Sequence, residues 1–83
     1  MASKVSYKAS VAGDLRRLDK PTARRILDKL ERTLTANPDA GIPLAGEFRG
    51  LFKYRIGDYR VVYAKTVEGI LVLRIGHRKD IYR

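Results

Sequence analysis

Residues 51–64 read LFKYRIGDYRVVYA. Two alternating runs flank the dipeptide Gly57-Asp58. A glycine-first, two-residue loop between alternating runs predicts a β-hairpin with a type II′ turn. Such a turn fixes the register, so Ile56 should face Tyr59, Arg55 face Arg60, Tyr54 face Val61, and Lys53 face Val62. Side chains alternate between the faces of a strand. One face then carries Phe52, Tyr54, Ile56, Tyr59, Val61 and Tyr63, and the other carries Lys53, Arg55 and Arg60 beside Leu51 and Val62. Like charges directly opposite each other on a ladder repel. A fold gains nothing from an Arg55–Arg60 pair, whereas a bound anion would neutralise it. The plain alternative is a solvated outer face whose cations keep the sheet soluble.

A third run, Gly69 to Arg78, reads GILVLRIGHR. Strict alternation assigns Leu71, Leu73 and Ile75 to the apolar face, and Ile70, Val72 and Arg74 to the face of Arg60. Three strands would then converge Lys53, Arg55, Arg60, Arg74 and Arg78 on one region. A phosphate backbone is the simplest partner for that much positive charge.

Working outward toward the N-terminus, residues 37–50 (NPDAGIPLAGEFRG) form a loop, with Leu44 and Phe48 expected to pin it to the core. Before it, Ala23, Ile26, Leu27, Leu30 and Leu34 follow helical spacing. Asp19 is expected to cap this helix, Pro21 to lie in its first turn, and Asn37-Pro38 to end it near Ala36. Its outer side carries Arg24, Arg25, Lys29 and Arg32, read as a solvated face. Val11, Leu15 and Leu18 predict a shorter amphipathic helix with Ser10 as its N-cap. Lys4 to Lys8 alternates and reads as a first strand. The expected fold is α+β, one domain over residues 1–83, in the order β-α-α-β-β-β. Its N-terminal helical hairpin packs on one face of a small antiparallel sheet and leaves the basic face open.

Composition narrows the chemistry. The chain has 83 residues, a formal net charge of +9 and a pI near 10.3, a balance that favours a polyanionic partner. It has no cysteine and a single histidine, so neither a thiolate nor a His-based metal site is expected, nor any cofactor. No apolar run approaches the roughly 20 residues of a membrane span. The start MASKVSYK has no apolar h-region, so a cytoplasmic protein is expected. Paired carboxylates and glycine-rich phosphate loops are absent from the pattern. Lys, Arg, Tyr and one His remain, a set suited to RNA cleavage by the RNA's own 2′-hydroxyl. That reaction needs a base, stabilisation of charge on the pentavalent phosphate, and an acid for the leaving 5′-oxygen. Lysine crowded by other cations gives up its proton more readily, and arginine clamps phosphate through bidentate hydrogen bonds. Tyrosine can stack on an unpaired base.

The stretch LFKYRIGDYRVVYA, followed by LRIGHRKDIYR, resembles the RelE/ParE toxin superfamily, on the RelE side. The length, the helical hairpin and the terminal Arg and Tyr agree with that resemblance, which covers nearly the whole chain. It implies a RelE-like fold and an mRNA interferase toxin of a type II toxin–antitoxin system. Such a toxin is a ribosome-dependent endoribonuclease that cuts mRNA in the 30S A site, beside 16S rRNA, without a metal. Its implied partners are that mRNA and a cognate antitoxin.

By the same resemblance, Lys53 and Arg55 match the basic pair of the second strand. Arg60 matches the arginine at the scissile phosphate, Arg78 a stabiliser or acid, and Tyr82 the tyrosine that stacks on a base. Position 55 is Arg where relatives have Lys, which leaves Lys53 as the base. Arg74, Lys79 and Arg83 are expected to bind RNA backbone. His77 has two readings. A histidine titrates near neutrality and could donate the proton to the leaving oxygen. Strict alternation instead puts His77 on the face of Ile75, packed at the sheet edge, unless Gly76 bends the strand. The competing functions are a ParE-like inhibitor of DNA gyrase and a basic RNA- or ribosome-binding module that does not cut.

Overall fold

A computed structural model describes residues 4–77, and the expectations for Arg78, Lys79, Tyr82 and Arg83 lie outside the described residues. The elements are β1 (Lys4–Tyr7), α1 (Ala9–Arg16), α2 (Lys20–Ala36), β2 (Ile42–Pro43), a 3-10 turn (Gly46–Phe48), β3 (Leu51–Ile56), β4 (Tyr59–Lys65) and β5 (Gly69–His77). They build an α+β fold in which two helices cover one face of a five-stranded sheet ordered β1-β5-β4-β3-β2. No helix among the described residues is long and apolar enough to cross a membrane.

The hairpin sets the frame. Gly57 takes a φ of +60°, as the first position of a type II′ turn requires, and among the described residues positive φ is confined to glycines. The ladder runs Ile56↔Tyr59, Arg55↔Arg60, Tyr54↔Val61 and Lys53↔Val62, the register expected from the turn. Phe52, Tyr54, Ile56 and Tyr59 pack toward the helices around a buried Val61 and Tyr63. From the other side, α2 contributes Ile26, Leu30 and Leu34 at helical spacing, and α1 contributes Val11. Full burial of each such side chain is worth about 1.5–3 kcal/mol before entropy is counted. Asp19 caps α2 by accepting from the Thr22 amide at 3.2 Å and from the Thr22 hydroxyl at 2.7 Å. These two hydrogen bonds hold its carboxyl below the usual carboxylate range.

Four features differ from expectation. The sheet is mixed, because β1 runs parallel to β5 while all other pairs are antiparallel. A two-residue strand, β2, adds to the expected loop through the pairs Ile42↔Lys53 and Pro43↔Phe52. Leu44 is half-buried and Phe48 exposed rather than set in the core, and the buried Tyr63 ties the loop to the core. The Tyr63 hydroxyl donates to the Pro38 carbonyl and accepts from the Gly41 amide, both at 2.9 Å. Gly41 is required there, since a Cβ would lie 2.5 Å from the Tyr63 hydroxyl oxygen and 2.9 Å from the Lys53 carbonyl oxygen. Finally, α1 begins at Ala9, and Ser10 is not its cap but donates its hydroxyl to the Leu73 carbonyl at 3.0 Å.

The phase of β5 also changes. Pairing with β4 steps from Val62↔Arg74 to Tyr63↔Val72, which leaves Leu73 as an extra residue, a β-bulge. Ile70 and Val72 therefore join Ile75 in the core, while Leu71 and Leu73 stay half-buried. The expectation that Leu71 and Leu73 face the core with Ile75 is corrected by that single bulged residue.

Candidate functional site

The face turned away from the helices is organised in rows across the strands. One row holds Arg55 on β3, Arg60 on β4 and Gly76 on β5. The next holds Lys53, Val62 and Arg74, with Ile42 of β2 beyond Lys53. Lys53, Arg55 and Arg60 share a recess of about 180 Å³ with Ile42 and Tyr54. Val62, opposite Lys53 in the neighbouring row, is only 6% exposed although it lies outside the helix-covered core.

Arg55 and Arg60 are direct cross-strand partners. Arg55 uses its Nε to donate to the Gly57 carbonyl at 2.9 Å, which draws its guanidinium toward the turn. Arg60 is different: its Nε is buried and has no hydrogen-bond partner among the described residues. A buried donor without a partner carries a desolvation penalty. Gly76 opposite Arg60 adds no side chain to the row. Two guanidinium groups and an ammonium in one recess can hold a phosphate-sized anion and stabilise extra negative charge on it. The described residues bring together no group of three or more His, Cys, Asp or Glu that could hold a metal ion.

Arg74 has a different setting. Its Nε and Nη2 donate to the Asp14 carboxylate at 3.1 and 3.3 Å. The structure thus engages Arg74 with α1 rather than presenting it beside Arg60. His77 pairs with Tyr59, and their rings meet edge to face at 5.9 Å. It lies toward the helices, in a recess with Asp14, Arg17 and Leu18, as strict alternation expects. The structure does not bring His77 together with Arg60. Arg78, Lys79, Tyr82 and Arg83 follow directly on His77, outside the described residues.

Sequence reasoning missed Asp14. It is the buried charged side chain of the described structure, 8% exposed. Its signal was present: Asp14 occupies the i+3 position of the stripe Val11-Asp14-Leu15-Leu18, where an apolar residue is the rule.

The chain was compared with known proteins. A family model described as the ParE toxin of type II toxin–antitoxin systems matches residues 5–82. Toxin RelE of Mycobacterium tuberculosis is 35% identical over 82 residues, covering 95% of this chain and 84% of the relative. The toxin–antitoxin complex RelBE2 of the same organism contains a chain that superposes with a TM-score of 0.86 at 28% identity, covering 96% of this chain and 95% of that one. The RelE–RelB complex of Pyrococcus horikoshii gives a TM-score of 0.67 at 30% identity, with 96% and 99% covered. On the length of the family match and on these relatives, the chain belongs to the ParE toxin family of type II toxin–antitoxin systems and is a RelE-like toxin.

Proposed function

We propose that this toxin is a ribosome-dependent endoribonuclease that cuts mRNA in the A site by attack of the RNA's own 2′-hydroxyl, without a metal. The observation that carries the reading is Arg60. Arg60 pairs with Arg55 across the ladder, and its buried Nε lacks a partner among the described residues. A fold that holds a cation in this way is preorganised for an anion. In the proposed mechanism Lys53 takes the 2′-hydroxyl proton, and Arg60 and Arg55 stabilise charge on the pentavalent phosphate. Arg78 serves as stabiliser or acid, and Tyr82 stacks on a substrate base. Lys79 and Arg83 add backbone contacts.

A cognate antitoxin is the second partner. The M. tuberculosis and P. horikoshii relatives were solved as complexes with antitoxins. A net charge of +9 favours an acidic segment on the open face. This reading implies action in the cytoplasm, where ribosomes are. The description of the matching family as ParE favours a second reading, a protein-binding inhibitor of DNA gyrase.

The test is to induce the chain in a bacterial cell and map mRNA 5′ ends against the reading frame, with Arg60→Ala as the control. Cuts inside translated codons that vanish in the variant are expected. Growth arrest with DNA damage and no such cuts would favour the gyrase reading, and cuts that persist in Arg60→Ala would overturn the site.

A further inference from the structure

Past the end of β1, the outer edge of β5 is completed by α1 and the residue before it instead of a strand. The Lys8 amide donates to the Val72 carbonyl at 2.9 Å, and the Ser10 hydroxyl to the Leu73 carbonyl at 3.0 Å. The Ile75 amide then donates to the Asp14 carboxylate at 2.9 Å, and the same carboxylate accepts both nitrogens of the Arg74 fork. Three donors thus converge on one buried acid.

Asp14 is buried while Arg74 is partly exposed; an ion pair withdrawn from water is weak evidence for stability, because desolvation offsets the attraction, and its best-attested use is to fix a register. The register at stake here is that of the bulge. Leu73 is the extra residue, Arg74 returns to the row of Val62, Ile75 enters the core, and Gly76 arrives opposite Arg60. The run GILVLRI is apolar in both phases, so packing alone does not select this one. Asp14 does, because it binds the side chain of Arg74 and the amide of Ile75 at once. It also occupies a guanidinium that would otherwise stand one row from Arg60 as a competing anion site.

We propose that Asp14 is a positioning residue for the anion site: by holding Arg74 and the Ile75 amide, it fixes how the end of β5 lies beside Arg60. The proposal rests on the nuclease reading. Asp14 touches no substrate and acts through β5.

The test uses the full chain with programmed ribosomes and measures single-turnover mRNA cleavage, alongside amide hydrogen exchange by NMR. Asp14→Ala should slow cleavage at saturating ribosomes by about 10- to 100-fold, the scale expected for a reacting group displaced by an ångström. Half-saturation should stay unchanged, the signature of a loss confined to the transition state. The Ile75 amide should exchange faster while the Tyr63 amide stays protected. Asp14→Asn keeps an acceptor for the Ile75 amide and should recover much of the rate. Cleavage by Asp14→Ala at the unaltered rate, or reduced only in proportion to lost folded protein, would overturn the proposal. So would an Ile75 amide that stays protected in that variant. If the unaltered chain leaves ribosome-bound mRNA uncut, the nuclease reading itself fails, and the exchange measurement still reports separately whether Asp14 holds β5.

Discussion

The two faces of β4 treat polar groups in opposite ways. Toward the helices, the buried Tyr63 hydroxyl satisfies both the Pro38 carbonyl and the Gly41 amide. On the other face, one residue from the buried Val61, the Arg60 Nε is buried without a partner among the described residues, and Arg60 pairs across the ladder with a residue of like charge. The first face is arranged for the folded state itself. The second carries a small cost in stability, which the proposed anion would relieve. Local conflict of this kind, in an otherwise consistent sequence, is what marks a functional surface.

Substitutions on each face should break the comparison in different observables. The largest effect belongs to the covered face. Leu30→Ala, at a fully buried position, should lower unfolding free energy by about 2–5 kcal/mol in denaturant titrations. Arg60→Ala should do the reverse: the denaturation midpoint holds or rises, while cleavage falls by about 10²–10³-fold, the scale of one lost charge-stabilising donor. Equal losses of stability and activity in both variants would erase the distinction between the faces.

Tyr63→Phe sits below these. It leaves the Gly41 amide and the Pro38 carbonyl without their partner and should cost about 1–3 kcal/mol. The same tyrosine gives a pH signature. Burial raises its pKa above the ordinary 10.0, and burial, then the Glu31 carboxylate that accepts its hydroxyl proton, raises that of Tyr7 further. For an acid whose folded pKa is raised, stability is full below the unfolded value and is lost as pH climbs from there toward the folded one. Thermal melts should therefore weaken from about pH 10 upward, and less steeply in Tyr63→Phe. The smallest effect is Arg55→Thr. Relief of the like-charge pair should add about 0.2–1 kcal/mol of stability, and the gain should shrink as salt screens the repulsion in the unaltered chain.

The hairpin and its basic residues were legible from residues 51–64 alone, because a glycine-first turn ties register to local sequence. Lys53, Arg55 and Arg60 fall in one recess for that reason. The phase of β5 was not legible. Ile70 and Val72 are as apolar as Leu71 and Leu73, so alternation could not choose between them, and the choice comes from Asp14 and Ser10 some 60 residues earlier in the chain. The parallel pairing of β1 with β5 is equally non-local. The role of Asp14 was obscured because the eye takes an acid on a short helix for a solvated residue. Its place in the apolar stripe was the available clue.

The brevity of β2 has a consequence for solubility. Its pairing with β3 stops at Lys53, Pro43 has no amide proton to offer, and Ile42 is 62% exposed. From Tyr54 outward, the margin of the sheet is therefore a template on which another extended chain could stack. Lys53 and Arg55 lie along that margin, and cations at such positions discourage edge-to-edge stacking. The charges that equip the recess for an anion thus also act as gatekeepers against aggregation. Under the proposed mechanism, neutralising both residues would remove this guard along with the activity, whereas Arg60→Ala, on the interior strand β4, would keep it.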